Sequence, residues 1–370
     1  KDRSFMNLAM VFYRHQLTRE NFQYAKQLGC THLVIHLVDY FHRETPAAGT
    51  VDNQPVGDDD GWGVTRNRTI WTKDELLAIR RQVEEEGLIF EAIENFDPGF
   101  WYDVLLDGPE KHQQMEQLKQ LIHNIGAAGI PMIGYNFSLA GVAGRVSGLF
   151  ARGGAESVGV DGNVTRPIPR GMVWNMFYDP ERYRDDPAGV NEATRITHDE
   201  LWGRFAWFLN ELLPVAEEAN VKLAAHPDDP PFAFVRGTPR LVWRPELYQK
   251  LLDLHPSHSN VLELCVGTLA EMNGCNYYDA IESYASQNAI GYVHLRNVRG
   301  RVPNYRETFI DDGDIDVYRV IEILHRNDFR GVIIPDHSPL VASPSPWHTG
   351  MAYALGYIRA MMQRAAHDLR

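Results

Sequence analysis

The fold class predicted by this sequence is α/β: a (β/α)8 TIM barrel with long loops on its catalytic face. Three observations predict it. Short apolar runs alternate with helix-sized segments from Asn7 to Arg364. The last four runs recur every ~30–40 residues, a strand–helix repeat that calls for parallel strands joined by crossovers. Each of those four ends in a side chain able to bind a metal: His226, Cys265, His294 and Asp336. Barrels of this kind keep their chemistry at the C-terminal tips of parallel strands. The 370 residues fit one domain spanning residues 1–370, since such a barrel takes ~250 residues plus insertions. The alternative is an open doubly wound sheet. Its dinucleotide-binding form is disfavoured, because no G-x-G-x-x-G follows the first strand.

The elements follow in order. Asn7 to Tyr13 is an apolar first strand, and a helix runs from Leu17 to Leu28, closed by Gly29. Thr31 to Leu37 alternates as strand two, and residues 46–67 form a long Gly, Asp and Pro-rich loop. Thr72 and Glu75 make a capping box for a helix carrying Leu76, Ile79 and Val83, stopped at Gly87. Strand three is Leu88 to Glu94, the next helix Pro109 to Ala128, and strand four Pro131 to Phe137. Residues 138–196 break the pattern, with many Gly and Arg residues and weak periodicity. Loops of that length are usually functional or disordered. A β4–α4 lid and a flexible surface insertion are the two readings. A second capping box, Thr197 with Glu200, opens a strong helix. Strands five to eight then end at the four tips, separated by helices over 245–254, 278–288 and 316–327. Trp347 to Arg364 is the final helix.

Composition narrows the function classes. The formal net charge is −13, which disfavours nucleic acid as a partner, since that needs a clustered basic surface. A small anionic substrate stays open, because a pocket can be locally positive. Cys30, Cys265 and Cys275 are the three cysteines, too few and odd in number for a disulfide framework. They fit a reducing, cytoplasmic setting. No apolar run approaches the ~18 residues of a membrane span, and the first residues show no signal-peptide core. A homo-oligomer, dimer or higher, is expected.

A lone strand-end His is more often a satisfied polar residue, and a lone buried Cys a small hydrophobe. Here His, Cys, His and Asp fall in turn on neighbouring strands, whose tips converge. The thiolate argues against Mg²⁺ and Ca²⁺ and suits Mn²⁺, Fe²⁺, Co²⁺ or Zn²⁺. The flanks are polar as well. In His226-Pro227-Asp228-Asp229-Pro230-Pro231, Asp228 or Asp229 is expected to orient His226 or the substrate; the plainer reading is an acidic turn. Arg296, two residues past His294, is a candidate clamp for a substrate carboxylate. His337, next to Asp336, is either a proton carrier or a donor that orients the metal carboxylate. Earlier strand ends offer Tyr13 and Arg14, His36 and Asp39, Glu94 and Asn95, and Tyr135 and Asn136.

The run His226 to Pro231, taken with Leu264-Cys265-Val266-Gly267-Thr268, Val293 to Val298, Pro335-Asp336-His337 and Gly134-Tyr135-Asn136-Phe137, resembles the mannonate dehydratase family. The resemblance covers most of the chain, best from Leu201 to His337. It implies a xylose-isomerase-like barrel and a divalent metal, usually Mn²⁺, on the four tips. It also implies loss of water from D-mannonate, giving 2-dehydro-3-deoxy-D-gluconate. His337 matches the family's catalytic histidine, and Asn136 with Asp228 and Arg296 would face the sugar acid. The chain departs from the family after the Asp-His pair. Ser338-Pro339 replaces Gly-Arg, and Pro346-Trp347-His348-Thr349 stands where the family has a Pro-Gly-Tyr-Gly stretch. His348 or Tyr353 is then the expected substitute for that tyrosine. An isomerase, epimerase or lyase acting on another sugar is the first alternative. A sugar-acid binder with a structural zinc is the second.

Overall fold

Parallel strand pairing accounts for the frame. The computed structural model describes residues 6–38, 40, 69–163, 166–174, 176–177 and 196–368. Its strands are β1 (Asn7–Tyr13), β2 (His32–His36), β3 (Ile89–Glu94), β4 (Met132–Tyr135), β5 (Arg145–Ala151), β6 (Ala155–Asp161), β7 (Lys222–Ala225), β8 (Phe234–Val235), β9 (Thr238–Pro239), β10 (Asn260–Cys265), β11 (Ile290–His294), β12 (Asn297–Arg301), β13 (Asn304–Thr308) and β14 (Val332–Ile334). Eight of them close into a barrel in the order β1, β14, β11, β10, β7, β4, β3, β2. Every pair in it is parallel, as crossover helices require. The helices are α1 (Arg19–Gln27), α2 (Lys73–Glu85), α3 (Pro98–Leu106), α4 (Lys111–Ala127), α5 (His198–Glu218), α6 (Glu246–Leu254), α7 (Val266–Glu271), α8 (Tyr277–Ser286), α9 (Val317–Arg326) and α10 (Pro346–Asp368).

The start signals act where expected. At α5 the box is reciprocal: Glu200 N–H donates to Thr197 Oγ1 at 3.1 Å and Thr197 N–H to Glu200 Oε2 at 2.6 Å. At α2 only half of it forms. Glu75 N–H donates to Thr72 Oγ1, but the Glu75 carboxylate turns away to pair with Arg14 at 2.9 Å. One apolar core joins the barrel strands to the inward helix faces. Inside it, Gly134 on β4 is required by close approach. A Cβ there would lie 2.2 Å from both Glu263 Oε2 and the Tyr292 hydroxyl.

Two expectations change. The stretch 138–196, expected to show only weak periodicity, contains regular strands. It opens with the hairpin β5–β6, which joins the hairpin β12–β13 in one four-stranded antiparallel sheet, ordered β12, β13, β6, β5. This sheet lies over the barrel mouth and is called the roof below. Its alternation is hard to read because β5 inverts the usual pattern: Arg145 is buried and Leu149 is 74% exposed. Short elements were also absorbed into loops, namely α3, α7 and the hairpin β12–β13. The 46–67 loop and Asp39 lie outside the described residues, as do residues 164–165, 175 and 178–195 of the insertion.

Candidate metal centre and active site

The four strand tips do converge at the C-terminal mouth of the barrel. His226 follows β7, Cys265 ends β10, His294 ends β11 and Asp336 lies two residues past β14. The ligand atoms of His226, Cys265 and His294 all lie within 4.8 Å of one another. Asp336 completes the group: its Oδ1 is 3.5 Å from His294 Nδ1 and its Oδ2 is 3.9 Å from Cys265 Sγ.

Hydrogen bonding selects which ring nitrogen faces inward. His226 Nδ1 donates to the Pro227 carbonyl at 2.6 Å, which frees Nε2 for the centre. His294 is turned the other way. Its Nε2 contacts Glu263 Oε1 at 3.0 Å and Glu94 Oε2 at 3.3 Å. Its Nδ1 is buried with no hydrogen-bond partner and faces Asp336. An orphaned imidazole nitrogen among a thiolate and a carboxylate is what a metal ligand looks like. The residues therefore fit a divalent ion with borderline to soft donors.

Electrostatics agree. Burial alone would push the Cys265 thiol up, but Arg296 first, then His226 and His294, bring it down to about 5. Burial opposes the Asp336 carboxylate in the same way, yet His337, His294 and Arg296 hold it well below the usual carboxylate range. Glu94, also opposed by burial, is drawn down to about 2 by His36 and His294. Burial lowers His226, but its contact with Cys265 and the charge of Glu263 lift it to about 9. His294 is likewise raised against burial, by Glu94, Asp336 and Glu263. The anion-rich surroundings favour the charged form of His226 and His294, and a metal on the same atoms would take the place of those protons.

Above the centre lies a chamber of about 160 Å³. Strand tips line its floor with Tyr13, His36, Glu94, Asn95, Asn136, His226, His294 and Asp336. The roof contributes Arg145, Ser147, Glu156, Ser157, Val158 and Glu307. Trp174, in the left-handed region at φ 58°, forms part of the wall. Its indole Nε1 donates to the Ser138 carbonyl at 2.6 Å, an anchor for an unfavourable backbone conformation.

The structure distributes the sequence-predicted residues unevenly. His337 lines the chamber. Its Nδ1 contacts Glu307 Oε2 at 2.9 Å and its Nε2 faces Asp336 Oδ1 at 3.3 Å. Asn136 lines it as well, with Nδ2 donating to the His226 carbonyl at 3.2 Å. Arg296 does not line it: it is 2% exposed and lies behind the ligands. Its guanidinium reaches Cys265 Sγ at 2.9 Å, Asp336 Oδ2 at 2.5 Å, Glu271 Oε1 at 2.8 Å and Asp229 Oδ2 at 3.0 Å. It braces the tip residues Cys265 and Asp336 from behind and is absent from the chamber lining.

Asp228 also turns from the chamber. Its Oδ2 accepts from the backbone N–H groups of Leu241 and Val242, each at 2.8 Å, which fixes the loop after β7. His348 sits on the outer side of α10, with Nε2 2.8 Å from Asn21 Oδ1 and its ring edge-on to Tyr24. Tyr353 is 42% exposed and meets Phe309. Neither reaches the chamber, because α10 turns both residues away from it. Of the other strand-end residues, Arg14 points outward to the Leu37 carbonyl and Glu75, and Tyr135 lies in the core.

Sequence reasoning missed Glu263, Glu307 and Arg145. Glu263 left a signal: it stands two residues before Cys265 on one strand, hence on the same face. Glu307 and Arg145 left none, since both belong to the roof.

A family model described as D-mannonate dehydratase (UxuA) matches residues 62–366. A mannonate dehydratase of Streptococcus pneumoniae (strain 70585) is 31% identical over 284 residues, covering 72% of this chain and 74% of that protein. The crystal structure of mannonate dehydratase from Streptococcus suis serotype 2 covers 98% of this chain and 94% of its own, with a TM-score of 0.78 and 24% identity. A xylose isomerase domain protein from Planctomyces limnophilus covers 98% and 99%, with a TM-score of 0.56 and 12% identity. The two structural likenesses establish the fold, a xylose-isomerase-like TIM barrel.

Proposed function

Because the chain belongs to the D-mannonate dehydratase family, we propose that it is a hydro-lyase that converts D-mannonate to 2-dehydro-3-deoxy-D-gluconate and water. The observation that carries this reading is the convergence of His226, Cys265, His294 and Asp336 beneath a chamber that also holds His337. Mn²⁺ is the ion we assign to these four residues, with Fe²⁺ or another divalent transition metal as the alternatives. When bound, it supplies Lewis-acid stabilisation of the negative charge that builds next to the substrate carboxylate.

The chain's own groups do the rest. His337 is held by Glu307 through Nδ1, which leaves Nε2, 3.3 Å from Asp336 Oδ1, as the nitrogen beside the four tips where the substrate would dock. We assign it both proton movements. Nε2 takes the proton from C2, the C2–H electron pair becomes the C2–C3 double bond, and the C3–O bond breaks. The same proton then leaves on the departing oxygen as water, and the enol rearranges to the 2-keto acid. One imidazole balances the reaction, in keeping with the positions of His348 and Tyr353 away from the chamber. General acid–base help of this kind is worth ~10²–10⁴-fold. Arg296 keeps Cys265 and Asp336 in place from behind, and Asn136 fixes the backbone that carries His226.

The test is the purified protein loaded with Mn²⁺ and incubated with a panel of aldonates and neutral ketoses. Product identity is read by mass and NMR. The expected result is a 2-keto-3-deoxy acid from D-mannonate, lighter than its substrate by one water. A product of unchanged mass from a ketose, with no aldonate consumed, would place the chain with the sugar isomerases and epimerases instead.

A further inference from the structure

The reading above leaves the substrate's carboxylate without a partner, since Arg296 is enclosed behind the metal ligands. The chamber is also rich in acids: Glu94, Glu156, Asp229, Glu263, Glu307 and Asp336 all line it. Only one lysine or arginine lines it among the described residues, and that is Arg145. An anionic substrate entering such a chamber needs a fixed cation to offset this field.

Arg145 is placed for that task by the roof. On β5 it shares a face with Ser147, and across the hairpin that face continues through Val158 and Glu156. All four residues line the chamber, and Ser157 joins them beside the register shift that follows Gly148. The guanidinium is buried and steadied by Asp229, whose Oδ2 lies 2.5 Å from Nη2. The same Asp229 oxygen meets Arg296 Nη2 at 3.0 Å, and Arg296 touches the ligands Cys265 and Asp336. Arg145 is therefore tied to the metal ligands through a single carboxylate and a single guanidinium. Of the two arginines on Asp229, only Arg145 faces the chamber.

We infer that Arg145 holds the carboxylate of the sugar acid and is the residue that makes this chamber select an anion. The inference rests on the dehydratase reading. A planar guanidinium matches a carboxylate with paired, charge-assisted hydrogen bonds, which a neutral analogue cannot reproduce.

The experiment uses the Mn²⁺-loaded full chain and its Arg145→Gln variant. KM and kcat are measured with D-mannonate, and the inhibition constant with the uncharged D-mannonamide. The KM of Arg145→Gln is expected to rise roughly 10- to 100-fold, while the amide constant moves less than about threefold, because only the anion loses a charged hydrogen-bond partner. Metal content is expected to stay at the wild-type level. Unchanged KM overturns the assignment, and so does a parallel rise in both constants. If Arg145→Gln does not fold, Arg145→Lys reads the same ratio: it keeps the charge and loses the fork. An active wild-type enzyme with an indifferent variant removes only the role of Arg145. A wild-type protein inert towards every aldonate removes the dehydratase reading itself.

Discussion

The floor of the chamber is built from the tips of β7, β10, β11 and β14, and its roof from β5, β6, β12 and β13. Floor strands are continuous apolar runs buried on both faces, and each pairs with parallel neighbours across a helical crossover. Roof strands carry glycine and arginine and pair antiparallel, locally within the hairpins β5–β6 and β12–β13 and at long range between β6 and β13, as in Asn304 with Asp161. The floor gathers the four tip residues and the roof adds polar groups to the chamber lining. A site that needs both is therefore assembled by two kinds of structure with different sequence signatures.

The largest effect is expected on the floor. Cys265→Ala should lose metal and turnover together, with activity down at least ~10³-fold, since it removes a ligand outright and changes to residues that only orient a ligand already cost ~10–100-fold. Chelation of the wild-type protein should abolish turnover and leave the far-UV spectrum intact, because strand pairing and not the metal closes the barrel. Unfolding on chelation would instead mark a structural ion.

Arg296→Gln comes next. It leaves Glu271, Asp229 and Asp336 without their shared cation, and breaking such buried pairing costs about 3–5 kcal/mol. Thermal unfolding and metal titration should both report the loss. His337→Gln separates chemistry from construction. It should lower kcat by ~10²–10⁴-fold while metal content and melting temperature stay near wild type. Metal loss in this variant would reassign His337 to orienting Asp336.

Gly159→Ala tests the roof alone. A Cβ at Gly159 would lie 2.4 Å from the Tyr305 carbonyl oxygen, which should break the β6–β13 pairing at a cost of ~1–3 kcal/mol. KM should rise and metal content hold; the reverse would erase the distinction between floor and roof. The smallest effects are expected at His348→Gln and Tyr353→Phe. Each should leave kcat/KM within about twofold, with stability changes of ~1 kcal/mol or less, as for other changes outside a site.

The same contrast explains what the sequence made legible. The barrel, its strand count and the convergence of the four tips were readable because apolar runs and their spacing are local signals. Arg296 lies behind the strand tips and away from the chamber for a physical reason. It stands two residues past His294 and looks exposed in a loop, but β12 begins at Asn297, and the hairpin it opens encloses the guanidinium. His348 and Tyr353 were plausible by position along the chain. The packing of α10 against Asn21 and Tyr24 decides otherwise, and no local pattern reports a helix's rotation about its own axis. Arg145 was hidden because a buried arginine and an exposed leucine on one face of the same strand invert the rule by which strands are recognised.

One oxygen in this structure belongs to both halves of the chamber. Asp229 Oδ2 accepts from Arg145 of the roof and from Arg296 beneath the ligands, while Oδ1 accepts from the Tyr305 hydroxyl at 3.1 Å. Binding equilibria that share an intermediary are reciprocal: whatever factor a docked roof adds to metal affinity, a bound metal must return to roof docking. The protein thus has a built-in cross-check between loading and closure. The size of that factor can be read from either side, as metal affinity when the roof is altered or as roof docking when the ion is withdrawn.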